Sequence, residues 1–285
     1  MFRTTGLISF AGGSPAWRRV RKRFQREAFD TGFFGPIEIY DDKRLSKEFP
    51  EFFDNRQALF SKPSLGFGFW SWKPFLIQKF LEEMHPKCER VVFLDAGSHF
   101  NVNHQSRKRF REYEELVDQN GYLFMKMNHL IEREWTSSEV LDYFRLGQRD
   151  RASGQIVGGF NIWTHQDKSL SLLSTWDAAM TVAEGRLLRG SVGQQEPHLR
   201  AHRHDQSLLS CLVKKNGAFA ISDETDFYPD FDLGTNFPIW TVRNSTRFGF
   251  QANSQLRGIS GRTDYVLSLR SRFMERRRAA RQGEA

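Results

Sequence analysis

Apolar residues along this chain recur with two different periods, and the two alternate. Short compact runs at Gly6 to Phe10, Ile37 to Tyr40, Val91 to Leu94, Gly121 to Met127 and Ala218 to Ser222 have the length of strands. Gln155 to Trp163 reads as one more strand, interrupted by the pair Gly158-Gly159, which marks a bulge or a close backbone approach. Between them lie segments of helical period. Trp17 to Phe29 is one. After Pro74, residues Leu76, Ile77, Phe80, Leu81 and Met84 recur as one buried stripe, with the proline in the first turn. His104 to Asp118 reads as a polar helix, Glu139 to Leu146 as a short one, and Asp167 to Ala183 as a helix with Leu170, Leu173 and Trp176 inward. A last helix runs from the His202-Arg203-His204-Asp205-Gln206-Ser207 segment to Lys214-Lys215, where Gly217 is placed to end it. Strands alternating with helices predict an α/β fold: a mainly parallel central sheet with helices on both faces. The pattern weakens beyond residue 240, which divides the chain into one domain over 1–240 and a C-terminal extension over 241–285.

Composition narrows the setting. The chain has 285 residues, 39% of them hydrophobic, with seven Trp and 27 Phe, enough for a sizeable core. No apolar run approaches the roughly 18 residues of a membrane span, and the opening segment is too short for a signal peptide. Two cysteines, Cys88 and Cys211, without metal-ligand spacing, fit a reducing cytoplasmic setting. The net charge of +8 is unevenly placed: Arg270, Arg272, Arg276, Arg277, Arg278 and Arg281 against Glu275 give +5 in one tail. That argues against a nucleic-acid-binding core. An amphipathic basic tail of this kind suits an anionic membrane surface; the other reading is a solvated terminal helix.

Three constellations carry chemistry. At residues 91–97, Val-Val-Phe-Leu-Asp-Ala-Gly, a buried run delivers Asp95 to its carboxyl end, where open α/β sheets place ligand groups. Trp70-Ser71-Trp72-Lys73-Pro74 sets a cation between indoles at a helix start, suited to a phosphate and a sugar or base; the alternative is a packing corner with Lys73 snorkelling. Asp205 lies at a helix N-terminus, where the dipole favours an ionised carboxylate. Its alternative is a plain helix cap. The Ser9 to Gly13 loop, with Gly12 and Gly13, leads from a strand into a helix and can present N–H groups to phosphate. His202, His204, Asp205 and Asp95 are ligand types acceptable to Mn²⁺ or Zn²⁺.

Gly-Phe-Gly-Phe-Trp-Ser-Trp-Lys-Pro-Phe-Leu-Ile, Val-Val-Phe-Leu-Asp-Ala-Gly and His-Arg-His-Asp-Gln-Ser-Leu-Leu-Ser, in that order, resemble a bacterial family of glycosyltransferases. That family is associated with capsule and lipopolysaccharide gene products and is related at a distance to the nucleotide-sugar-dependent GT-A superfamily. The resemblance spans roughly residues 6–222. It implies a GT-A-like fold and transfer from a nucleotide-diphosphate sugar to a glycan or lipid-linked acceptor, in surface polysaccharide synthesis at the cytoplasmic face of a membrane. Asp95 matches the first Asp of the superfamily's Asp-x-Asp motif, whereas Gly97 stands at the second. A divalent cation, Mn or Mg, is then completed by His99, His202 or His204, or Lys73 and backbone N–H groups hold the diphosphate without it. The resemblance further implies Asp205 as base or ring-stabilising carboxylate, Gly158 and Gly159 at the donor sugar, and Ser9, Gly12, Gly13, Lys73, Trp72, Asp95 and Gly97 about the donor. Asp95 and His204 are the metal candidates; His202, Gln206 and Trp163 are the acceptor contacts. The rival reading is a glycan- or nucleotide-binding module that keeps the fold without catalysis. Binding of nucleic acid is not expected.

Overall fold

The structure, a computed structural model, describes residues 4–60, 66–85, 87–190, 197–227 and 230–242. The expected Arg-rich tail lies outside the described residues. Strands β1 (Thr5–Phe10), β2 (Ile37–Tyr40), β3 (Arg90–Leu94), β5 (Tyr122–Ile131), β6 (Gly154–Ile156), β7 (Phe160–Thr164) and β8 (Ala220–Ser222) form one sheet. Its order is β2-β1-β3-β7-β5-β6, with β8 also on β5. Strands β1, β2, β3, β5 and β8 run one way; β6 and β7 run against them. This is the α/β class expected from the alternating pattern.

Side chains leave the strands on alternate sides, so each strand feeds two cores. On one face Ile8, Val91, Phe93, Phe124 and Trp163 meet α2 (Trp72–Met84), α4 (Asp167–Thr181) and α5 (Asp205–Lys215). On the other, Leu7, Val92, Leu94, Leu123 and Ile162 meet α1 (Pro15–Thr31) and α3 (His104–Asn120). Ser14 caps α1 and Asn103 closes a reciprocal capping box on α3.

Two features position the site. The glycine pair divides the expected strand: Val157 N–H still bonds to Met125, but β7 then turns away to run between β3 and β5. A second pair, β4 (His99–Phe100) with β9 (Ile239–Trp240), pins the chain just after Asp95. The sequence pattern at 239–240 is too short to announce that strand.

Candidate active site

At the carboxyl end of β3, Asp95 begins a four-residue turn closed by the Ser98 N–H on the Asp95 carbonyl (2.9 Å). Small residues fit here because Ala96 and Gly97 are both buried within the turn. Arg23 of α1, itself buried, fastens it by donating to the carbonyls of Ala96 (2.7 Å) and Ser98 (3.0 Å). Asp95 alone of this turn keeps its side chain 47% exposed.

Beneath Asp95 lies Lys73. Its ammonium meets Asp205 Oδ2 at 2.8 Å, Asp95 Oδ1 at 3.3 Å and the Gly158 carbonyl at 3.0 Å. Of the three, the Gly158 contact is a hydrogen bond, and the two carboxylate contacts are ion pairs. Burial alone would lower the lysine pKa, but Asp205 and Asp95 outweigh it and raise it. The lysine is therefore an internal strut between two carboxylates. The expected contact of Lys73 with a diphosphate would have to be made from this buried position, 3% exposed.

Asp205 is sealed below, with 6% of its side chain exposed. Burial pushes its carboxyl up to about 6, with Lys73 opposing the shift. As placed, its carboxylate is the buried counter-charge of Lys73.

The glycine pair completes the cleft. The Asp95 N–H donates to the Gly159 carbonyl (2.9 Å), and a Cβ at Gly159 would lie 2.8 Å from Asp95 Oδ2. Gly158 N–H donates to Gln206 Oε1 (3.1 Å), while a Cβ there would meet the Gln206 side chain at 2.7 Å. Both positions require the missing side chain. Gln206 is tied further to Gln155, whose amide donates to the buried carboxylate of Glu132 (3.2 Å). Gln206, expected as an acceptor contact, spends its oxygen on this framework.

Other expected residues are drawn into packing. Trp72 is 2% exposed and stacks on Phe10 with centroids 4.1 Å apart; Trp163 is fully buried beside Trp176. Neither can wall a ligand. Trp70 remains half-buried at the rim with Phe69. Ser9 is buried and donates to the Leu94 carbonyl (2.6 Å). Gly12 is buried against Asp42, and the Gly13 N–H donates to Asp42 Oδ1 (2.9 Å). Burial raises the Asp42 carboxyl, but the Gly13 N–H and Arg18 outweigh it and hold it below the ordinary value. The loop expected to cradle phosphate already holds a carboxylate of its own chain.

The histidines are similarly engaged. His99 is buried against Glu27 (3.0 Å) and Arg23, and burial lowers its pKa to about 4. His202 accepts from the Ser137 N–H and meets the Leu187 carbonyl (3.0 Å); burial, aided by His204, takes it to about 4. His202 thus has both ring nitrogens in use and is not free for an acceptor. His204 holds the Leu188 carbonyl through Nδ1 (2.8 Å) and packs against Phe69 and Trp70. Among the described residues no three His, Cys, Asp or Glu side chains gather as a metal site. The Nδ1 contact of His204 leaves its Nε2 available, as in histidines that ligate metals, so this engagement does not exclude the expected ligand role.

Both helices that carry the strut begin from unusual backbone. Phe69 and Trp70 (φ 53° and 60°) precede Lys73, and His204 (φ 51°) precedes Asp205. Non-glycine residues held there cost about 1–3 kcal/mol each and gather at functional sites. The three strained residues pack on one another, which joins the two helix starts.

No family model matches the chain, and no curated protein does. Among solved structures it is similar to apo mouse xyloside xylosyltransferase 1, at 12% identity and TM-score 0.44, over 77% of this chain and 84% of that one. It is also similar to a glycosyltransferase involved in glycosylation of the major capsid of PBCV-1, at 12% identity and TM-score 0.43, over 82% of this chain and 92% of that one. At that level of likeness, activity is left to the site itself.

Proposed function

We propose that this protein is a glycosyltransferase that takes a sugar from a nucleotide-diphosphate donor to a glycan or lipid-linked acceptor. The observation that carries the reading is the exposed Asp95 carboxylate, joined through Lys73 to buried Asp205 beside the Gly158-Gly159 pair. Glycosyl transfer builds positive charge at the sugar ring and negative charge on the leaving diphosphate. Fixed charges aimed at those positions stabilise the transition state most. The cluster of one lysine and two carboxylates carries a net negative charge when all are ionised, the sign suited to a sugar ring or to a bound cation. A divalent ion arriving with the diphosphate would be held by Asp95 and would supply positive charge to the leaving group. Asp205 and Lys73 act as positioning residues: they fix Asp95 and the Gly158 peptide. Surface polysaccharide synthesis at the inner face of a membrane is the setting proposed from the sequence resemblance.

The engagement of Lys73 by the Gly158 carbonyl and of the Gly13 N–H by Asp42 favours one second reading, binding of a glycan or nucleotide without transfer. The deciding experiment is a nucleotide-sugar panel, read by thermal shift with and without Mn²⁺ and by sugar release or transfer. Stabilisation by one donor class with turnover, reduced about 100-fold or more in Asp95→Asn with the fold retained, supports the enzyme. Stabilisation without turnover supports the binding module. No stabilisation by any nucleotide sugar rejects both for this donor class.

A further inference from the structure

The face of α1 turned away from the sheet concentrates unpaired positive charge. Arg19, Lys22 and Arg26 are exposed, at i, i+3 and i+7, and have no ion-pair partner among the described residues. The neighbours on the helix flanks are neutralised instead: Arg18 by Asp42, Arg21 by Asp41 and Arg23 by Glu27. Phe29 continues the same face three residues beyond Arg26 and is 75% exposed. Helical rise puts about 15 Å between Arg19 and Phe29. Asp30 is exposed at the end of the helix, and Arg107, also exposed, stands close to Gly32 just past it.

This face is not flat. A depression of about 610 Å³ opens among Arg18, Arg19, Lys22 and Arg26, and another of about 390 Å³ among Lys22, Arg26, Phe29 and Ile37. The first offers only basic and proline surface; the second sets cations directly beside apolar side chains. A nucleic-acid backbone would satisfy the cations but leave Phe29 and Ile37 without a partner. The interface of an anionic bilayer supplies both, phosphate for the cations and the acyl boundary for the phenyl ring. Residues 243–285 offer no net counter-charge: they hold ten arginines against Asp264, Glu275 and Glu284, a net +7 of the same sign.

We propose that the outer face of α1, through Arg19, Lys22, Arg26 and Phe29, docks this protein on an anionic bilayer surface. The inference does not depend on the donor chemistry. Arg23 braces α1 to the turn after Asp95, so docking by α1 holds the cleft at a fixed place relative to the lipid surface.

The test is co-sedimentation of the full chain with phosphatidylcholine vesicles, with and without phosphatidylglycerol, for wild type, Arg19→Glu/Lys22→Glu/Arg26→Glu and Phe29→Ser. All four positions are exposed, so thermal midpoints should stay near wild type, and circular dichroism checks this. Wild type should bind only the anionic vesicles. The triple variant should lose at least about 100-fold in partitioning, from roughly fivefold for each of the three basic residues at the surface. Phe29→Ser should weaken binding on neutral-charge grounds alone, without changing its salt dependence. Equal binding by wild type and the triple variant would assign the membrane contact to the C-terminal arginines and overturn the proposal. So would absence of vesicle binding, or a preference of the α1 face for duplex RNA over vesicles.

Discussion

Lys73 shows how one buried side chain sets the roles of several others. Removing it leaves Asp205 ionised and without its partner in the interior, the arrangement that costs most in a protein core. Lys73→Met is therefore expected to destabilise the fold by about 3–5 kcal/mol in denaturant melts. Pairing it with Asp205→Leu should recover a good part of that loss, as replacing a whole buried pair often does. If the double variant is no more stable than the single one, the strut is not the energetic unit described here. Gly159→Ala probes the same cluster from the cleft side. Its added methyl would press on Asp95 Oδ2 at 2.8 Å, so the carboxylate must rotate away from Lys73. Turnover should fall at least tenfold while stability changes by less than about 1 kcal/mol. A substitution tolerated at wild-type turnover would separate Gly159 from the site. At this scale the sequence was legible in part. Asp95, Gly158, Gly159, Lys73 and Asp205 do come together, because a strand end, a strand break and two helix starts bring them there. Which of them face solvent was not legible, since a lysine strut and a phosphate-binding lysine have the same letters around them. Arg23 and Asp42 were missed for a similar reason. Arg23 sits in a run of surface arginines, marked only by Glu27 four residues on, and Asp42 follows Asp41 at an ordinary helix cap.

Among the elements, strand and helix positions were the most readable part of the chain. Period-2 and period-3.6 apolar patterns are enforced by the two cores, so Leu7 and Ile8, or Val92 and Phe93, each know their face. What periodicity cannot give is partner choice. The antiparallel insertion of β7 between β3 and β5 depends on the turn at Gly158-Gly159, and β9 on only two residues. The tryptophans mislead for the same reason: Trp72 and Trp163 belong to inward positions of a helix and a strand, so their large surfaces serve packing. The buried network behind the glycine pair makes an element-level prediction. Glu132 is fully buried, bonds Lys214 at 2.6 Å and accepts from Thr136 and Gln155. These contacts hold the Gln155 amide nitrogen towards Glu132 and its oxygen towards Gln206. Gln155→Leu should shift the kinetics of the glycine-lined cleft, raising KM more than it lowers kcat. It should lower the thermal midpoint only modestly. A pure loss of stability with unchanged KM would make the network a packing feature.

For the molecule as a whole, pH is the natural probe. Burial raises the Asp205 carboxyl to about 6 in the folded chain, above its ordinary value of 3.8. A group raised on folding binds its proton more tightly in the native state. Its contribution is therefore complete below the unfolded value and is lost as pH rises through about 6. Wild type measured against Asp205→Asn should gain stability as pH falls from about 6 towards 4. Glu27 works the other way: its burial is outweighed by His99 and Arg23, which hold its pKa low, so it loses stability on acidification. The comparison with the variant removes that background. Activity should fall on the same acidic limb, because Lys73 would lose one of the two charges that hold it. A flat difference between pH 4 and 7 would count against a buried, ionised Asp205. No helix among the described residues is long and apolar enough to cross a membrane. The lipid contact proposed for α1 rests on a surface whose charge is legible in the sequence but whose exposure is not.

The peptide of Gly158 is gripped from both sides, its N–H by Gln206 and its carbonyl by Lys73. It is thereby a built-in reporter. Polarisation of that carbonyl follows how strongly Lys73 leans on it, and Lys73 leans harder when either carboxylate is neutralised by a proton or drawn off by a ligand. The ¹⁵N shift of the following amide, at Gly159, would register the arrival of a substrate that never touches either glycine. One backbone resonance could then follow titration and occupancy of the cleft without any label placed in it.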